Sequence, residues 1–213
     1  MTARATERAN GSRPISRTGR AAARCSSSTG MGISPARQSR ALRTGFATAT
    51  GDLVVIQDAD LEYDPGDWSP MYDLIAVRKV ADVAFGSRFY GRPHRSLYFH
   101  HYLANRLISL LFNLAFNQTL TDIESCCKMM TRQVARSLRL TANDFGIEIE
   151  MSAEIARQRH LRIYELGISY YGRTYAEGKK VNWIDGMKAL WYIIKFRVNA
   201  WRLSPASRDE RQM

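Results

Sequence analysis

Asp58, Asp60 and Glu62 stand at alternate positions in the run Gln57-Asp58-Ala59-Asp60-Leu61-Glu62. Alternate residues of an extended or turning backbone point the same way, so the three carboxylates can converge on one hard cation. A site of few oxygen ligands with open positions suits Mg²⁺ or Mn²⁺, which then also take substrate phosphates. Without a cation between them, carboxylates this close repel and raise one another's pKa. A lone D-x-D is equally compatible with a solvated acidic loop, so the pattern means little unless a scaffold aims it.

The flanking residues supply one. Asp52 to Gln57 is a short apolar, β-branched run of the kind expected for a strand buried on both faces of a parallel sheet. The acids follow its carboxyl end, where open α/β sheets place their ligand crevice. Upstream, Ala41, Leu42 and Phe46 recur at helical spacing and stop at Gly51. Downstream, a turn at residues 63–67 precedes a helix over 68–79 and a second buried strand over 81–86, and strand, helix, strand is the rhythm of an α/β unit with parallel pairing. Helices are expected over 96–116 and 148–158, and a strand over 161–171. Residues 183–203 combine Trp191, Tyr192, Phe196 and Trp201 with Lys188, Lys195, Arg197 and Arg202, an amphipathic, aromatic and basic helix.

Composition narrows the class. The chain has 213 residues, 45% of them hydrophobic and 24% charged, enough for one substantial core. Three cysteines, two of them the adjacent Cys126 and Cys127, make neither a disulfide framework nor a zinc module. No run approaches the roughly 20 apolar residues of a bilayer-spanning helix. His100 and His101 are neighbours on a helix and point about 100° apart, so they cannot share an ion. The net charge of +11 is uneven, because residues 1–44 carry nine arginines against the single acid Glu7. Residues 1–34 lack Leu, Val, Phe, Trp and Tyr and are expected to be disordered. Their character suits a solvated tail, a transit peptide or a non-specific basic arm.

The stretch from Ala41 to Pro65 resembles family-2 glycosyltransferases, in particular the dolichol-phosphate mannosyltransferase and polyprenyl-phosphate glycosyltransferase group. Matches continue in order with Gly86-Ser87-Arg88-Phe89, with Thr121-Asp122 before Ser125, with Tyr170-Tyr171-Gly172-Arg173-Thr174 and with Glu177-Gly178-Lys179-Lys180. The resemblance covers residues 38–203. It implies an α/β, Rossmann-like GT-A fold and an inverting, metal-dependent hexosyltransferase. The donor would be a nucleotide sugar of the GDP-mannose or UDP-glucose type and the acceptor a polyprenyl (dolichyl) phosphate. By carry-over, Asp58, Asp60 and Glu62 hold Mg²⁺ or Mn²⁺ on the donor pyrophosphate, Arg88, Arg173 and Lys179 meet substrate phosphate, and Asp122 is the catalytic carboxylate beside Arg88. Glu148 and Glu150 resemble an acidic pair of the family at a helix start, where the helix dipole also favours acids.

The family's opening strands and nucleotide-contacting loop have no counterpart before Leu53. The expected sheet is therefore incomplete and mostly parallel, and donor binding by the chain is expected to be weak or absent. The expected division is a leader over 1–37, a partial GT-A domain over 38–182, a C-terminal amphipathic helix over 183–203 and a tail over 204–213. A polyprenyl acceptor stays in its bilayer, so a cytoplasmic enzyme peripheral at the membrane surface is expected, with no specific nucleic-acid partner. The alternatives are a glycosyltransferase that extends a saccharide and a non-catalytic anion-binding protein.

Overall fold

The computed structural model describes residues 35–58, 62–90, 93, 95, 98–144, 146–172 and 183–203, with side chains in the last helix from 186 to 198. Asp60, Arg173 and Lys179 lie outside the described residues, as do the leader 1–34 and the tail 204–213. The elements run α1 (Pro35–Thr48), β1 (Leu53–Ile56), α2 (Trp68–Tyr72), β2 (Val83–Ser87), α3 (Phe99–Phe116), β3 (Lys128–Thr131), α4 (Arg132–Ser137), α5 (Gly146–Arg157), β4 (Ile163–Gly167) and α6 (Trp183–Leu203). α2 continues as a π-helical turn over Asp73–Val77 and ends at Lys79, whose φ of 53° turns the chain into β2.

The four strands form one sheet in the order β1-β3-β2-β4. β2 and β4 are parallel, whereas β3 runs antiparallel to both β1 and β2. The α/β class is as expected, but the sheet is mixed rather than mostly parallel. The cause is β3, whose sequence Lys-Met-Met-Thr carries neither β-branched enrichment nor alternation and which inserts between the two expected neighbours. β1 is packed on both faces, as expected, but less tightly on one. It alternates, with Val54 and Ile56 buried and Leu53 and Val55 half-buried, and it is the edge of the sheet among the described residues. β2, buried throughout, fits the doubly covered reading more fully.

Helices cover the two faces unequally. On one face Val54, Ile56, Val83, Phe85 and Met130 pack with residues of α1, α3, α5 and α6. On the other, Ala84 and Met129 pack with Met71, Leu74 and Ile75 of α2 and its π turn. Two glycines allow close approaches. A Cβ on Gly86 would come within 2.9 Å of Ile168, and one on Gly146 would overlap the Tyr192 ring. The second packs the start of α5 on α6, where the Tyr192 hydroxyl donates to Asp144 at 2.9 Å.

Because β3 is antiparallel, its first residue lies at the edge where its neighbours end: Lys128 stands opposite both Ile56 and Phe85. Asp58, Ser87 and Arg88, the start of β3 and the end of β4 therefore share one edge of the sheet, to which the loop before β3 brings Thr121 and Asp122.

Candidate active site

Asp122 anchors this edge. Its carboxylate accepts the Arg88 side chain through Nε at 2.7 Å and Nη2 at 2.7 Å, and the Arg88 backbone N–H at 3.1 Å. Asp122 is fully buried and Arg88 nearly so. Burial by itself lowers the Arg88 pKa, but the charge of Asp122, with Tyr63 and Tyr170, outweighs it and raises the guanidinium well above its ordinary value. The pair is set from behind by Glu165 on β4, which accepts the backbone N–H of Thr121 at 2.8 Å and of Asp122 at 3.1 Å. Ser87 and Thr121 share a 2.6 Å hydroxyl hydrogen bond beside it.

Arg88 continues the network outward. Its guanidinium lies 5.5 Å from the ring centroid of Tyr170, whose hydroxyl donates to Glu62 at 3.2 Å. Burial first, and then the Glu62 carboxylate, push the Tyr170 pKa up to about 12 against the pull of Arg88. Tyr63 stacks obliquely on Tyr170 at 5.5 Å and is itself raised by burial. Arg88, Asp122 and Glu62, singled out in the sequence, are thus joined in one chain of contacts.

A second buried pair lies at the start of β3. Lys128, with no exposed surface, donates to Glu148 Oε2 at 2.7 Å and to the carbonyl of Ser125. The other Glu148 oxygen, Oε1, is buried and has no hydrogen-bond partner. Glu148 and Asp58 line a cavity of about 30 Å³ between α1 and β1, together with Gln38, Gly45, Phe46 and Gln57. Asp58 hydrogen-bonds the Cys126 side chain, whose pKa rises through burial and then through the charges of Asp58 and Glu148. Glu124 feels both Arg88 and Lys128 and is raised by burial. It feels Asp122 and Glu148 as well as these two cations, while Asp58 and Glu148 both act on Cys126, so acids of both pairs meet at this edge.

Among the described residues no three His, Cys, Asp or Glu side chains form a metal group. Asp58 and Glu62 have different partners, Cys126 and Tyr170, and Asp60 between them is not described. Lys128, Glu124, Glu165 and Tyr170 were not singled out from the sequence as site residues. A lysine between Cys127 and Met129 in an apolar run was the available signal for Lys128, since such a lysine must find a buried partner.

Residues 35–139 match the family model for glycosyl transferase family 2. That segment, just under half of the chain, is therefore similar to family 2 glycosyltransferases. The glycosyltransferase AglJ of Haloferax volcanii is 29% identical over 120 residues, which are 56% of this chain and 39% of that protein. A protein of Mycobacterium tuberculosis described as putative glycosyltransferases is 49% identical over 47 residues, 22% of this chain and 14% of its own length. The chain thus spans less than half the length of these curated relatives. Among solved structures, glucosyl-3-phosphoglycerate synthase of Mycobacterium tuberculosis, in complex with Mn²⁺, UDP-glucose and phosphoglyceric acid, superimposes with a TM-score of 0.58 at 13% identity. That match covers 75% of this chain and 54% of the other. Its UDP complex gives 0.56 at 15% identity, with the same coverage. The likeness shows that the chain has the GT-A fold.

Proposed function

We propose that the chain is a metal-dependent glycosyltransferase that moves a hexose from a nucleotide sugar to a polyprenyl phosphate, with inversion at the anomeric carbon. The observation that carries this reading is the buried, unpartnered Oε1 of Glu148, a residue that lines the same cavity as Asp58. All the donors are oxygens, which fits Mg²⁺ or Mn²⁺. Asp58, Asp60 and Glu62 would hold the ion; when bound, it neutralises charge on the departing diphosphate. Solved neighbours of the same fold contain Mn²⁺ and UDP, which supports both the ion and the donor class.

The chain's own residues divide the remaining work. Arg88, fixed at two nitrogens by Asp122, keeps a permanent cation near the reacting phosphates, and Arg173 and Lys179 would close over the pyrophosphate. Asp122 is then a positioning residue, since its oxygens already accept three N–H groups of Arg88. A phosphate acceptor, with its second pKa near 6, is already ionised at neutral pH, so the reaction needs no strong base. The nucleoside diphosphate leaves as the acceptor oxygen bonds to the anomeric carbon.

One observation favours a second reading, a saccharide acceptor. A hydroxyl nucleophile must give up a proton, and Glu148, which lines the cavity, has an acceptor oxygen, Oε1, without a hydrogen-bond partner.

Both readings are tested by titrating Mn²⁺ into the full chain with UDP or GDP present, and by following labelled hexose from UDP-glucose or GDP-mannose onto a polyprenyl phosphate or a saccharide. The expected result is Mn²⁺ uptake that Asp58→Asn removes, and transfer to the lipid phosphate that Glu148→Gln slows less than about tenfold. Transfer to the saccharide alone, lost by at least about a hundredfold in Glu148→Gln, establishes the second reading. No Mn²⁺ uptake with either nucleotide overturns both.

A further inference from the structure

α3 is apolar on the side that faces away from the protein. Its inner side, with Ile108 and Phe112, packs in the main core, where α6 contributes Tyr192, Ile193 and Phe196. Its outer side carries Phe99, Leu103, Leu107, Leu110 and Leu114, a single stripe at helical spacing about 22 Å long. Phe99 and Leu114 are 73% and 74% exposed. α6 packs beside α3 and repeats the pattern with Met187, Trp191, Ile194 and Val198. A helix that is hydrophobic all round is ordinarily buried, and contiguous exposed apolar surface of this kind marks an interaction face.

The charges beside the stripes indicate what covers them. α3 holds Arg106 and no acid, and α6 adds Lys188, Lys195 and Arg197, with no described acidic side chain. Lys195 sits 4.8 Å over the Trp191 ring, so cation and aromatic ring project together. A second copy of the chain on this face would bring like charges together, whereas anionic headgroups neutralise them and leave the apolar stripes in the acyl boundary. No helix among the described residues is long and apolar enough to cross a membrane, so contact is along the surface.

We propose that the outward faces of α3 and α6 form one docking surface for an anionic bilayer, which brings the sheet edge to an acceptor that cannot leave the lipid. The surface deepens the lipid-phosphate reading, but its test uses vesicles without polyprenyl phosphate or nucleotide, so failure of either idea is seen separately.

The full chain is sedimented with vesicles of phosphatidylcholine alone and of an equal mixture with phosphatidylglycerol. Binding to the mixed vesicles, falling as salt rises, is expected. The combined variant Leu103→Gln, Leu110→Gln, Leu114→Gln should bind them at least about tenfold more weakly. Lys195→Gln with Arg197→Gln should cost about tenfold or more. Val77→Glu, a control at an exposed apolar residue beyond α2, should change nothing. Far-ultraviolet circular dichroism and melting temperatures show that each variant is folded. The proposal is overturned if the wild type ignores the mixed vesicles. It also fails if the leucine variant binds undiminished, which would assign binding to the arginine-rich leader, or if light scattering shows a dimer that the same leucine changes dissolve.

Discussion

Two buried ion pairs lie at the same edge of the sheet, and they are finished differently. Arg88–Asp122 is closed: both carboxylate oxygens accept from Arg88, and Glu165 fixes the backbone behind them. Lys128–Glu148 is open, because one Glu148 oxygen is engaged and the other is buried without a partner beside a cavity. A closed pair holds geometry. An open pair keeps an acceptor ready at the cost of an unsatisfied polar atom, and native structures tolerate few such atoms outside functional sites. The Lys128 side of the edge is therefore where ligand chemistry is expected, and the Arg88 side is the frame that holds it.

The largest expected effect comes from breaking the open pair at its cation. Lys128→Met leaves Glu148 as an uncompensated buried charge, beside Glu124 and Asp58, and should cost about 3–5 kcal/mol of stability in chemical denaturation. Glu148→Leu added to that variant removes the stranded charge and should recover most of the loss. Nucleotide-dependent Mn²⁺ uptake should stay weakened in the double variant. If the two changes simply add, the pair is not coupled and the comparison fails.

Breaking the closed pair should cost less and reveal less. Asp122→Asn keeps the volume but replaces one acceptor with an amide that cannot accept from the guanidinium, for an expected loss of roughly 2–3 kcal/mol. Because Arg88 is displaced as well, a fall in transfer rate in this variant does not identify Asp122 as a base. A denaturation midpoint unchanged by Asp122→Asn would show that the closed pair does not hold the frame.

The parts of this edge that were legible in the sequence are those with a local pattern. β1, β2 and the helices other than α4 carry a local apolar pattern, and Asp58 sits at a strand end that could be recognised without a structure. β3 was not legible, since Lys128-Met129-Met130-Thr131 has no strand signature and its place between β1 and β2 is decided by tertiary packing. With β3 unseen, Lys128 had no reason to face Glu148, and the Glu148 reading stayed divided between helix dipole and substrate. Asp122 and Arg88 were found through resemblance, but their mutual pairing depends on a loop that Glu165 holds from 44 residues away in the chain. The long-range partners, rather than the residue types, were what spacing could not supply.

The smallest effect sharpens the boundary between the two pairs. Glu124 lies between them, and burial raises its pKa above the ordinary 4.5 despite Arg88 and Lys128, so the folded protein prefers it protonated. Its contribution to stability is therefore full below the unfolded value and is lost as pH rises through the raised folded value. Glu124→Gln, neutral at every pH, should melt at a higher temperature than the wild type near pH 7, and the gap should close as the pH falls below about 4.5. If a divalent cation binds near these carboxylates, Mn²⁺ with nucleoside diphosphate should narrow the same gap at pH 7, because its charge favours the ionised Glu124 that burial disfavours. A gap that Mn²⁺ leaves unchanged would put Glu124 outside the field of the ion and limit the ligand site to Asp58, Glu148 and their neighbours at the cavity.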